Sequence, residues 1–210
     1  KMAEFLLELF SEEIPANLQS TARINLLTNF KRFFEKENII YKEDGKVFST
    51  PNRLVLCFKK IEKEIYQKSE QIRGPNVKAP DKAIEGFLKS NLIQKKDIYK
   101  KNTDKGEFFF YKKPSRKIKS EDVLNANIPN ILENLSWKKS MKWGEHDLYW
   151  GRPLKSILAI FDSKPLKFEF HHLSSWNSTY IDKDFEEKTK NFTDFKSYEK
   201  YFKKQGTTVN

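Results

Sequence analysis

An α+β fold, with mixed or antiparallel sheets and amphipathic helices packed on them, is what this 210-residue sequence predicts. Three observations carry that expectation. Apolar runs of strand length, such as AEFLLELF from Ala3, are bounded by turn residues. Leu18, Ala22, Leu26, Phe30 and Phe33 recur every three or four residues, the stripe of a helix with one buried face. SILAIF-DSK-PLKFEF, from Ser156, reads as a β-hairpin, which is an antiparallel unit.

In chain order, AEFLLELF is a buried strand, and SEEIP turns it into the helix that carries the stripe. Pro15 suits the first helical turn, where its missing N–H costs nothing. Asp44-Gly45 marks a turn before the strand KVFST. PNRLVLCFKKI, Pro51 to Ile61, has strand composition, and the stretch from Ile65 to Ile72 is a candidate to pair with it; IRGP closes that unit. Pro80 to Asn91 predicts a short helix with Ala83, Ile84, Phe87 and Leu88 on its inner face. KGEFFFYKK is a strand behind the turn residues Asp104 to Gly106. Ser120 is the expected N-cap of a helix through Val123, Ile128, Ile131 and Leu135, bent at Pro129. Asp194 to Gln205 is a terminal amphipathic helix with Gly206 as its stop. A boundary near 62–80 divides the chain into a strand-helix-strand segment, 1–61, and an α+β domain, 62–210, expected to continue beyond the chain end. Lys1 precedes Met2, the order expected of a start at Met2 or of a fragment.

Hydrophobic content of 38% with 14% aromatic residues argues for a folded core built on Phe, Ile and Leu. The single cysteine, Cys57, excludes an internal disulfide and a cysteine-based zinc site, and fits a reducing compartment. No stretch approaches the roughly 20 apolar residues of a membrane span, and FLLELF is too short and too acidic for a signal peptide. A soluble, cytoplasmic protein is expected. The net charge of +11 is concentrated: residues 95–119 carry 10 basic and 3 acidic side chains.

Glu12-Glu13 is a carboxylate pair that could do acid–base work or could simply favour the start of the following helix through its dipole. His146-Asp147 is an HD dipeptide, but a metal phosphohydrolase needs further histidines and a distant aspartate. His171-His172 are neighbours at a strand end, where adjacent side chains face opposite ways. No metal site and no catalytic set is expected from them, and a stand-alone hydrolase has little support.

The basic cluster is the stronger signal. Lys95, Lys96, Lys100, Lys101, Lys105, Lys112, Lys113, Arg116, Lys117 and Lys119 surround Tyr99, Phe108, Phe109, Phe110 and Tyr111. Cations suit phosphates and aromatic faces suit unpaired bases, so the mixture fits RNA. The alternative is a strand whose alternate Phe residues fill a core beneath a solvated lysine surface. Arginine is scarce, six against 34 lysines, and Arg53, Arg73 and Arg152 each neighbour a proline or glycine. A guanidinium fork there could be a structural clamp or a phosphate contact. MKWGEHDLYWGRP places Trp143 and Trp150 around one corner. Both are read as core wedges, with Gly144 and Gly151 allowing tight backbone paths and Lys142 and Arg152 left as candidate contacts.

FLLELFSEEIPANLQ, STPNRLVLCF, IRGP followed by KAIEGF, DKGEFFFY and MKWGEHDLYWGRPLKSILAIF occur in the order and spacing of one family. Over Met2 to Phe170 the chain resembles the N-terminal region of the bacterial glycyl-tRNA synthetase β subunit. The resemblance implies an α2β2 ligase that joins glycine to tRNA(Gly) with ATP and Mg2+. It implies that the α subunit carries the class II catalytic core, and that β supplies tRNA binding and assembly. No catalytic residue or cofactor is then expected in this chain, and the HD-like and anticodon-binding domains of β lie beyond it. One departure stands out: where the family shows a Gly-His-Arg-Phe-like stretch after the hairpin, this chain reads SSWNSTYIDKDFEEKTKNF, and Tyr180-Ile181-Asp182 offers neither His nor Arg. Two functions follow. In one, Arg53, Arg73, Lys95, Lys96, Lys100, Lys101, Lys112, Lys113, Arg116, Lys142 and Arg152 contact tRNA. In the other, the region is a scaffold that docks the α subunit or other β domains without touching RNA.

Overall fold

The computed structural model describes residues 1–137, 140–143, 146–149, 154–181 and 188–204, with backbone alone for those from 136 to 149. The fold is α+β. Strand β1 (Met2–Ser11) leads to helix α1 (Ala16–Lys36), which opens directly after Pro15. Two short strands follow, β2 (Tyr41–Lys42) and β3 (Lys46–Ser49), then the long β4 (Arg53–Glu62). Next come β5 (Glu64–Gln67), β6 (Glu70–Asn76), α2 (Asp81–Ser90), a 3-10 turn at Lys95–Asp97, β7 (Ile98–Thr103), β8 (Gly106–Lys113) and β9 (Arg116–Lys119). Helix α3 (Ser120–Leu132) runs into a π-helical turn at Glu133–Trp137. The paired β10 (Ser140–Trp143) and β11 (His146–Tyr149) precede β12 (Leu154–Phe161) and β13 (Lys164–Pro165). The chain then forms β14 (Glu169–Phe170), β15 (Leu173–Ser174), β16 (Ser178–Tyr180), β17 (Thr189–Asn191) and α4 (Phe195–Lys204).

Two compact units result, one of residues 1–65 with 119–210 and one of residues 66–118. The expected cut at 61/62 falls inside β4, and β12, from the far side of that cut, pairs with β1. The larger unit is built on an antiparallel sheet of order β13-β12-β1-β4-β2, with β3 also on β4. The stretch from Ile65 to Ile72 does not join it, contrary to the sequence expectation. Strand β4 already has β1 on one side and β2 and β3 on the other, so β5 pairs with β9 and β6 with β8.

Alternation explains why β1 is apolar almost throughout: both faces of the sheet are covered. Phe5, Leu7 and Leu9 pair in register with Phe161, Ala159 and Ile157 on one side, and with Phe58, Leu56 and Leu54 on the other. That face meets α1, whose buried Leu18, Ala22, Leu26, Phe30 and Phe33 are the predicted stripe, extended by Phe34. The Phe34 ring lies 4.9 Å from Phe58 and 6.5 Å from Phe5, in edge-on geometry. Each such side chain contributes about 1.5–3 kcal/mol on full burial. On the other face Leu6, Val55, Cys57, Leu158 and Ile160 form one core with Phe192, Phe195, Tyr198 and Phe202, most of them from α4.

Local chemistry departs from the sequence reading in three places. The Ser120 hydroxyl does not cap α3; it donates to the Glu62 carbonyl at 2.5 Å, while α3 buries Leu124, Ile128 and Leu132 rather than a Val123/Ile131 stripe. Pro129 does sit inside α3, where the sequence reading put it. The hairpin turns on Asp162 and Ser163, both left-handed (φ 54° and 64°), but its return strand is only β13, after which the Leu166 amide bonds the Ala159 carbonyl. Gly206 lies outside the described residues.

Cys57 is buried, and burial pushes its thiol up to about 12. The unfolded thiol titrates near 8.5, so the fold favours the protonated form. That contribution is complete below the unfolded value and drains away as pH rises toward 12. Alkaline stability measured by denaturant unfolding should therefore fall across this window, and Cys57→Ala should flatten the fall. Native-state alkylation of Cys57 at neutral pH should track global unfolding.

In the smaller unit β6, β8 and β7 form an antiparallel sheet with β8 in the centre. Helix α2 buries Ile84 and sets Phe87 against the strand. A Cβ at Gly74 would stand 2.7 Å from the Phe87 ring, which is why the IRGP stretch carries glycine there. The register of β6 slips between Arg73 and Asn76, around Gly74-Pro75.

Candidate nucleic-acid interface

Directly paired residues share a sheet face. On β8, Phe108 and Phe110 point one way, and their partners are Lys101 and Tyr99 on β7 and Asn76 and Arg73 on β6; Gln71 pairs with Lys112 on that same side. The opposite side holds Ile72, Ile98, Phe109 and Tyr111, together with Lys100 and Lys113. One face thus interleaves cations with aromatic rings. The Arg73 guanidinium carbon lies 4.5 Å from the Phe108 centroid, and the Lys101 ammonium 5.5 Å from that of Phe110. Tyr99 stacks on Phe110, centroids 6.1 Å apart and planes 26° apart, and remains 39% exposed. Gln71 ties the face together, donating to the Tyr99 hydroxyl at 2.5 Å and accepting from Lys101 at 3.4 Å. Residues 66–118 hold 14 basic and six acidic side chains, so this unit carries +8 of the net +11. Such a surface can hold phosphates and stack bases.

The candidate residues separate. Arg73, Lys101 and Lys112 come together on the interleaved face, all exposed. Lys100 lies on the reverse side, 6.0 Å from the Phe109 centroid, and Lys113 pairs there with Glu70. Lys95 and Lys96 are exposed on the 3-10 turn, and Arg116 on β9 donates to the Gln67 side chain at 3.1 Å. Lys142 stands in β10 opposite Asp147 in backbone register; its side chain lies outside the described residues, as do Gly144, Trp150, Gly151 and Arg152.

Arg53 is the correction: it is a clamp. Only 4% exposed, its Nη1 donates to Glu8 Oε2 and Thr179 Oγ1, each at 3.0 Å, and its Nη2 to the Tyr180 carbonyl. The guanidinium lies between the Phe10 and Phe202 rings, 4.5 Å from each centroid. Glu8, wholly buried, also accepts from the Thr179 and Tyr198 hydroxyls. Burial, then the Glu8 charge, drives the Tyr198 phenol well above its ordinary value, so it stays a donor. Glu4 accepts the Phe195 amide at 2.7 Å, and Asp194 caps α4 through the Ser197 amide and is held below its usual range by Ser197.

Glu12 and Glu13 are exposed ahead of α1. His171 Nε2 lies 2.9 Å from Glu133 Oε2, and among the described residues no three His, Cys, Asp or Glu side chains group to hold a metal ion. Among them, too, no helix is long and apolar enough to cross a membrane. Sequence reasoning missed Gln71, Glu8 and Tyr198. Gln71 lies outside the lysine cluster, and Glu8 reads as one acid in an apolar strand.

A family model described as the glycyl-tRNA synthetase beta subunit matches residues 5–210. The chain belongs to the glycyl-tRNA synthetase β-subunit family. The match continues past Phe170, where the motif resemblance stops, through the diverged Tyr180-Ile181-Asp182 stretch. Among relatives, the glycine–tRNA ligase β subunits of Rickettsia prowazekii and Rickettsia typhi are 38% and 39% identical over 197 residues, 94% of this chain and 29% of their own length. That of Rickettsia bellii is 38% identical over 94% of this chain and 30% of its own. The chain therefore spans less than a third of these relatives and corresponds to their N-terminal region.

Proposed function

We propose that this β-subunit region helps to bind and position tRNA(Gly) in a cytoplasmic α2β2 glycine–tRNA ligase. The α subunit is its partner there and supplies the class II catalytic core, with ATP and Mg2+ used by the whole enzyme rather than by this chain. The observation that supports this is the face of Arg73, Lys101 and Lys112 between Tyr99, Phe108 and Phe110. Cations set there meet a ribose-phosphate backbone, and the exposed Tyr99 ring meets an unpaired base.

Lysine–phosphate contacts release counterions, so affinity should fall steeply with salt. Three contacts give a slope of about −2 to −3 in log affinity against log salt concentration, at about 0.7–0.9 per contact. Filter binding of tRNA(Gly) to the 210-residue chain checks this, and a titration that stays flat overturns the reading. The scaffold reading has Ile24, Ile40 and Trp176 on its side, exposed at 60%, 59% and 45%. Its signature is co-purification with α that survives the salt that strips RNA.

A further inference from the structure

We propose a second phosphate-binding site, in the larger unit, in the cleft between β17 and α4. Ser197, Lys200, Tyr201 and Lys204 recur at i, i+3, i+4 and i+7, so they form one face of α4. This is not the face that enters the core, which carries Phe195, Tyr198 and Phe202. It lines a cavity of about 360 Å³ whose other wall is Lys190 to Thr193. A cavity of that size lies at the lower end of those that take small ligands.

The lining chemistry selects an anion. Lys190, Lys200 and Lys204 line the cleft, and among the described residues no Asp or Glu lines it. The acids of α4 and its cap are engaged elsewhere: Glu199 pairs with Lys203 at 3.3 Å, and Asp194 holds the Ser197 amide. The floor is aromatic. Phe192 and Tyr201 meet edge-on with centroids 5.7 Å apart, and the Lys190 ammonium hovers 4.9 Å above Tyr201. A cation held over a ring at an exposed site keeps most of its hydration and can turn to an incoming anion at little cost. Asn191, Thr193 and Ser197 add hydrogen-bonding groups at the rim. One cation over the Tyr201 ring, with two more lysines lining the same cleft, fits the phosphate of a nucleotide unit, with the base against the ring edge. This chemistry comes from two sources, a polynucleotide backbone or a free nucleotide.

The test uses the 210-residue chain carrying Arg73→Gln, Lys101→Gln and Lys112→Gln, which removes the proposed face of the smaller unit. Into it go Lys200→Gln and Lys204→Gln together, or Lys203→Gln alone as a control on the paired side of α4. Calorimetry with ATP and with tripolyphosphate, and anisotropy with a labelled single-stranded oligoribonucleotide, read the two sources. At least one probe should bind, and the double substitution should weaken it about tenfold or more while Lys203→Gln leaves it unchanged. Binding of the oligoribonucleotide alone assigns a polynucleotide; binding of ATP assigns a free nucleotide, with tripolyphosphate reading the share its phosphates carry. Failure of every probe to bind, or equal affinities in the double substitution and the control, overturns the proposal. Neither outcome touches the salt slope of tRNA binding through the smaller unit.

Discussion

Arg53→Ala is expected to destabilise the larger unit by about 3–5 kcal/mol, the loss typical when one partner of a buried ion pair is removed. The guanidinium joins four segments: Glu8 on β1, its own strand β4, Thr179 and Tyr180 on β16, and Phe202 on α4. Without it, Glu8 keeps its two hydroxyl donors but faces no positive charge, at 0% exposure. Two ring contacts and the volume between Phe10 and Phe202 go as well. For a unit of this size the midpoint temperature should drop by roughly 6–20 °C, at about 2–4 °C per kcal/mol. Arg53→Lys keeps the charge and loses the fork, so it should recover only part of the loss. The double replacement Glu8→Leu with Arg53→Met should cost far less than Arg53→Ala, because no charge is left stranded. Calorimetry decides. If Arg53→Ala melts within a degree of the parent and lowers the salt slope of RNA binding, Arg53 is a phosphate contact and the clamp is wrong.

This arginine marks where the sequence stops being legible. Periodicity placed the α1 stripe and the apolar faces of β1 and β12, because burial on one or both sides leaves a pattern in a single segment. The clamp leaves none. Glu8, Arg53, Thr179 and Tyr198 are far apart in the chain, and their meeting depends on the β1–β4 register and on α4 docking. The same limit governed Ile65 to Ile72: its strand character was readable, but its partners were fixed by which edges of β4 were already filled. In the lysine cluster, composition gathered all the cations but Lys119 into one unit. Only the register divided Arg73, Lys101 and Lys112 from Lys100 and Lys113, since alternation sends neighbours to opposite sides.

That division makes the RNA reading sharply testable. Arg73→Gln, Lys101→Gln and Lys112→Gln together should weaken tRNA(Gly) binding by roughly 50-fold near physiological salt, and reduce the salt slope by about two, at 0.7 per contact for single strands. The matched triple Lys100→Gln, Lys105→Gln and Lys113→Gln removes the same net charge from elsewhere on the unit. A generic electrostatic attraction depends on charge alone and would suffer equally from both. A located interface suffers from the first and little from the second. Folding is not at stake, because the lost cation–ring contacts are worth only about 0.5–1 kcal/mol each at exposed sites, and circular dichroism would confirm it. Tyr99→Ala separates the remaining ingredient. Loss of stacking should cost about 1–3 kcal/mol of binding while leaving the salt slope intact, since a ring releases no counterions. Equal losses in the two charge triples would leave the unit a basic surface without an addressed face, and the scaffold reading would then stand.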